Sequence, residues 1–176
     1  MLAGSNVTLH RVRGTLTDHF DPKNKSVALS EGVYDSASVA ALAIAAHEIG
    51  HVMQYQEGYF PIKLRNAILP VANFGSKAAP FIVIIGIAMG SLNLAMAGVV
   101  LFGAMLAFQL VTLPVEFNAS RRALDMLVSN GFLAVEEEPG AKKVLRAAAM
   151  TYVASALASA ANLLRLLSMV NSRRRD

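Results

Sequence analysis

The chain has no cysteine in its 176 residues. That excludes a disulfide framework and every zinc site built on thiolates. A bound metal would have to be held by histidine and carboxylate. Histidine is itself scarce, with four copies. Charge is scarce as well: 16% of residues are charged, against about a quarter in ordinary soluble domains. Aromatic residues make up only 7%, and the basic residues behind the net charge of +4 are scattered. A nucleic-acid surface is therefore not expected. Basic residues beside apolar segments read instead as flanks facing lipid headgroups. The stretch "MLAGSNVTLHRVRG" has no long apolar run, so no signal peptide is expected there.

What is abundant is apolar surface. Hydrophobic residues are 55% of the chain, and no charged residue occurs between Ala78 and Leu113. That run is too long for one crossing of a bilayer and suits a helical hairpin over 66–113. Its arms, 66–90 and 92–113, can each cross the ~30 Å hydrocarbon core at ~1.5 Å per residue. "GSLN" at 90–93 supplies the turn. Lys77 lies within the first arm, near Pro70 and Pro80. A lysine at mid-span costs about 2.5–3.5 kcal/mol on insertion scales, and snorkelling relieves part of that.

The expected fold class is mainly α, in a single membrane-embedded domain over 1–176. Residues 1–34 are polar and turn-rich. "VTLHRVRGTLTDHFD" alternates weakly around Gly14 and suits short strands or a hairpin, and "DPKN" at 21–24 reads as a turn. A helix follows over 35–58, capped by Asp35 or Ser36 and stopped by Gly58. After the hairpin, a polar-faced helix is expected over 114–130, opened by Pro114 and stopped at Asn130–Gly131. A last membrane helix is expected over 140–170, where Ser155 and Ser159 are small enough for close helix packing.

The helix over 35–58 carries "HEIGH" at 47–51. Residues four apart share one helix face, so His47 and His51 can point at one ion. Glu48 lies one residue round and can reach a water beside that ion without ligating it, the place of a general base. Chance is the alternative, but two histidines and a glutamate on an apolar helix need partners, and a metal provides one.

Two ligands do not hold a zinc, and the third must be His, Asp or Glu. His10 and His19 lie upstream. Glu57 is close in sequence, and Glu136–Glu138 read as a solvated charge run. Glu116, in "TLPVEFNAS", follows directly after the apolar hairpin. Two crossings return it to the side of His47 and His51, whereas one would separate them by a bilayer. The competing explanation is an acid near a helix N-terminus, favoured by the macrodipole. His19 in "TDHFDP" and Tyr152 are candidates for holding an oxyanion, against the plainer roles of turn histidine and packing tyrosine. Asn118 and Arg121 are candidates for supporting the site, Arg121 by pairing with Glu116 or Glu48.

Four blocks in order, "GTLTDHFDP", "LSEGVYDSASVAALAIAAHEIGHVMQ", "LPVEFNASRRAL" and "VLRAAAMTYVASAL", closely resemble the YugP-like membrane zinc metallopeptidases of bacteria and archaea. These are similar to the gluzincins, whose third ligand is a glutamate on a later helix. The resemblance implies a zincin-like helix and Zn2+ at His47, His51 and Glu116, with Glu48 as base. Two departures stand out. Family members usually begin with a further transmembrane helix, which is not expected in this chain. Related gluzincins carry Glu-x-x-Ala-Asp, where this chain has Ser120 in place of the acid that would support a histidine ligand.

The expected function is a membrane-bound zinc endopeptidase acting near the bilayer surface. Its partners would be the lipid bilayer and a peptide or membrane-protein substrate, and assembly as a homo-oligomer is compatible. The alternative is a non-catalytic membrane zinc protein serving as a scaffold or partner-binding subunit, whose metal site would be closed by four protein ligands. The expected location is the prokaryotic cell membrane, multi-pass. Arg65, Arg121, Arg122, Lys142 and Lys143 flank the side opposite the uncharged "GSLN" turn, which puts the site on the cytoplasmic side.

Overall fold

A computed structural model describes residues 6–172. The described chain is mainly helical with one small sheet. It divides into two compact units, Met1–Tyr59 with Val115–Met150, and Phe60–Pro114 with Thr151–Asp176.

In the first unit, strands β1 (Thr8–Val12), β2 (His19–Asp21) and β3 (Ser26–Ser30) form a sheet in the order β1-β3-β2. β2 and β3 are an antiparallel hairpin across the "DPKN" turn. Asp21 shapes that turn, accepting from the Lys23 N–H at 2.8 Å and the Asn24 side chain at 2.7 Å. This is the local capture of backbone donors by which aspartate favours turns. The weak alternation around Gly14 does not make a hairpin of its own: β1 runs parallel to β3, from Thr8 opposite Ser26 to Val12 opposite Ser30. The connecting loop is fixed by Asp18, whose carboxylate accepts from both the N–H (2.8 Å) and the hydroxyl (3.0 Å) of Ser30.

A single turn, α1 (Glu31–Tyr34), leads to α2 (Val39–Gln56). The cap of α2 is Ser38, which accepts from the Ala41 N–H at 3.2 Å. Asp35 and Ser36, expected as caps, are displaced because α1 already ends at Asp35 and Ser36 donates to the Ser38 hydroxyl. At the other end Gly58 adopts φ 66°, a left-handed conformation glycine tolerates best. That lets the Tyr59 N–H reach the Gln54 carbonyl at 2.9 Å and end the helix.

Two further helices carry residues in both units: α4 (Leu92–Ser129) and α5 (Glu138–Ser172). Within the first unit, α2 is covered on both sides. Val52, with Ala45 and Ile49, packs on Val27 and Leu29 of the sheet. Ala43 and Ala46 pack on Ala123 and Leu127 of α4 and on Ala141 and Leu145 of α5. The alanines let the backbones come close, and Gly50 takes this furthest. A Cβ there would lie 2.5 Å from the carbonyl oxygen of Ala119 on α4.

The second unit contains α3 (Phe60–Ala88), joined to α4 by a tight turn in which the Ser91 N–H donates to the Gly86 carbonyl at 2.8 Å. Val83 packs with Ala95 and Val99 of α4 and Val170 of α5. α3, α4 and α5 are each long and apolar enough to cross a membrane. Two boundaries differ from the sequence expectation. α3 begins at Phe60, not at 66, and keeps Pro70 and Pro80 inside it. α4 does not break at Pro114 to start a separate helix but runs through it to Ser129. An interior proline costs an α-helix ~3 kcal/mol. In long apolar helices, neighbouring groups and local adjustment commonly absorb that loss.

The approach at Gly50 yields a prediction. Glycine to alanine in a helix normally stabilises by about 1 kcal/mol. Gly50→Ala should do the reverse, because its methyl must push the Ala119 carbonyl away, at an overpacking cost of about 1–3 kcal/mol. Thermal unfolding of the purified variant in detergent checks the sign; a Tm at or above that of the parent would refute the contact.

Candidate metal centre

α2 presents His47 and His51 one turn apart, with ring centroids 4.7 Å apart and planes at 83°. α4 presents Glu116 to both. Its Oε2 lies 3.2 Å from His47 Nε2 and 3.7 Å from His51 Nε2. One ligand atom from each of the three lies within 4.8 Å of the others. Donors bound tetrahedrally to a zinc at ~2.0–2.1 Å stand roughly 3.3 Å apart, so the three are spaced to share one ion.

Burial argues the same way. Glu116 is only 2% exposed. A carboxylate so buried needs a positive partner. Nearby, burial alone would lower the His51 pKa, but contact with Glu116 and the charge of Glu48 raise it overall. The cluster therefore favours a positive charge at its centre, which a divalent ion supplies. Glu48 is also buried, and burial pushes its carboxyl above the ordinary range against the pull of His51 and His47.

Each histidine is held from behind. Ser120 Oγ lies 3.2 Å from His47 Nδ1. Thus the serine that replaces an acid still meets the ring, through a neutral hydroxyl. His51 Nδ1 lies 3.0 Å from Gln54 Oε1. Gln54 is fully buried, and its Nε2 donates to the Val115 carbonyl at 2.8 Å and to Asn118 Oδ1 at 2.9 Å. Asn118 Oδ1 also accepts from Arg122 Nε at 2.8 Å, and Arg122 forks onto both carboxylate oxygens of Glu57 at 2.7 Å.

The other sequence candidates fall elsewhere. His10 is exposed on β1 against the Thr8 hydroxyl, and Glu57 is occupied by Arg122. Among Glu136–Glu138, the Glu137 carboxylate accepts from the Ala134 N–H. His19 is exposed on β2, its Nδ1 donating to the Thr17 carbonyl at 2.8 Å, a turn histidine outside the ligand cluster. Tyr152 lies on α5 in the second unit, so its part rests on the sequence alone. Arg122, not Arg121, makes the ion pair that ties α4 to the end of α2. Sequence reasoning missed Gln54. The available signal was a long amide three residues after His51 on an otherwise apolar helix.

The profile of a family described as "Putative neutral zinc metallopeptidase" matches residues 3–171. The "Putative membrane protease YugP" of Bacillus subtilis (strain 168) is 52% identical over 162 residues, covering 92% of this chain and 72% of that protein. No solved structure matches.

Removing the Glu116 carboxylate should cost the site its metal. Purified wild-type protein is expected to carry about one zinc and Glu116→Ala far less, by elemental analysis. Equal zinc in both would remove Glu116 from the ligand set.

Proposed function

Starting from the fact that the chain belongs to the neutral zinc metallopeptidase family, we propose that it is a membrane-bound zinc-dependent endopeptidase. The observation that carries this is a His47–His51–Glu116 cluster, half-buried at His47 and buried at His51 and Glu116, with a further buried carboxylate, Glu48, on the helix of the two histidines. Three protein ligands leave a position open, as catalytic zinc sites do, whereas structural sites close with four. Among the described residues the cluster has three members, which favours hydrolysis over a purely structural metal.

His47, His51 and Glu116 would hold the ion. A bound zinc polarises a carbonyl and lowers the pKa of a coordinated water towards ~7. Glu48 accepts a proton from the water that attacks the scissile carbonyl carbon and delivers it to the departing amine. The carbon–nitrogen bond breaks, a carboxyl and an amine form, and Glu48 ends as it began. Burial raises its pKa, the direction that favours a group taking and returning a proton. His19 and Tyr152 are the chain's own candidates for hydrogen bonds to the developing oxyanion.

Substrates would be peptides or membrane proteins close to the bilayer. Glu116 is the first charged residue after the uncharged stretch and lies on the same continuous helix. The basic flanks support a cytoplasmic site in a multi-pass membrane protein.

Glu48→Gln separates chemistry from metal binding. The amide keeps the size of the side chain but cannot accept the proton. Zinc content should stay at the wild-type level while peptide hydrolysis falls by at least ~100-fold, the usual weight of a general base. Unchanged cleavage of a peptide library in detergent or vesicles would overturn the mechanism.

A further inference from the structure

Gln54 is fully buried, both hydrogens of its amide are used, and its oxygen faces His51. A glutamine amide can be turned either way, so its orientation must be argued from its neighbours. Here the neighbours leave no choice. The Val115 carbonyl only accepts, so the atom 2.8 Å from it is the amide nitrogen. The second contact agrees. Arg122 only donates, which requires the oxygen of Asn118 at its Nε, and that same oxygen faces Gln54. Arg122 is itself pinned by the two carboxylate oxygens of Glu57. The oxygen of Gln54 must therefore face His51, and the ring nitrogen there, Nδ1, must carry hydrogen.

We propose that Gln54 is the positioning residue that fixes His51 as its Nδ1–H tautomer and aims Nε2 at the ion, its polarity set by the Val115 carbonyl together with a chain running from Glu57 through Arg122 and Asn118. This inference rests on the zinc reading of the site. It adds a role for the amide and for three polar residues that touch neither metal nor substrate. The arrangement also has a mechanical side. His51 and Gln54 are on α2, while Val115, Asn118 and Arg122 are on α4 with Glu116. The amide thus sets one ligand while joining its helix to the helix that brings another.

The test uses the full chain in detergent, with zinc affinity measured by chelator competition. Gln54→Met keeps length and loses every hydrogen bond; affinity should fall ~10–100-fold, the range for a lost outer partner of a metal-bound histidine. Gln54→Glu restores an acceptor for His51 but no donor for α4. It should return affinity to within about threefold of wild type while the metal-free protein melts lower. Nitrogen-15 spectra of the metal-free protein near pH 9, above the usual histidine pKa of ~6.5, should show protonated Nδ1 in wild type and a mixed or inverted tautomer in Gln54→Met.

Wild-type affinity and tautomer in Gln54→Met would overturn the proposal, as would Gln54→Glu binding no better than Gln54→Met. If Gln54→Met fails to fold, Asn118→Ala supplies the contrast. It removes one α4 anchor without touching His51, and should lower the Tm while the Val115 carbonyl still holds the amide nitrogen and His51 keeps its Nδ1 proton. An Nε2-protonated His51 in wild type or in Asn118→Ala would overturn the proposal. Absence of zinc binding by wild type would defeat the metal reading itself, and the tautomer measurement still decides the role of Gln54.

Discussion

A carboxylate buried between two imidazoles organises the first unit. Glu116 is almost sealed from solvent, and the cost of desolvating a charge is large unless a counter-charge sits beside it. The surrounding features serve that placement. Gly50 and the alanines of α2 and α4 let the two helices approach closely enough for one oxygen to meet both rings. Ser120 and Gln54 then hold the rings from the far side, so that the second nitrogen of each is directed inwards.

Both of those supports are neutral. A carboxylate behind a metal-bound imidazole raises its basicity and adds negative charge; a hydroxyl or amide orients the ring without adding charge. Of the carboxylates at the site, Glu116 would itself be a ligand and Glu48 would carry the proton. Among the described residues, the charged partners in the hydrogen-bond network behind Gln54 are Arg122 and Glu57, which pair with each other near the surface.

Much of this was legible in the sequence, for identifiable reasons. The i, i+4 histidine spacing forces a shared helix face. An uncharged run long enough for two crossings predicts a return, and that makes Glu116 reachable. Gly58 and Gly131 mark real helix ends because each adopts a left-handed φ. What was not legible depends on non-local contacts. Ser38 caps α2 because α1 occupies the residues before it, which no local propensity reveals. β1 joins β3 rather than β2, a pairing between segments separated in sequence by β2 and the hairpin turn. Pro114 looked like a helix start and lies inside one. Gln54 and Arg122 looked like ordinary polar positions until both helices were in place.

The distance in sequence between the ligands has a separate consequence. His47 and Glu116 are 69 residues apart. An ion bound by both closes a loop of that length, and a cross-link of this kind removes several kcal/mol of conformational freedom from the unfolded chain. Small proteins often obtain such a clasp from a disulfide. In a chain without cysteine, the same histidines and glutamate that define the centre would also be its one covalent-like fastening, released whenever the metal is withdrawn.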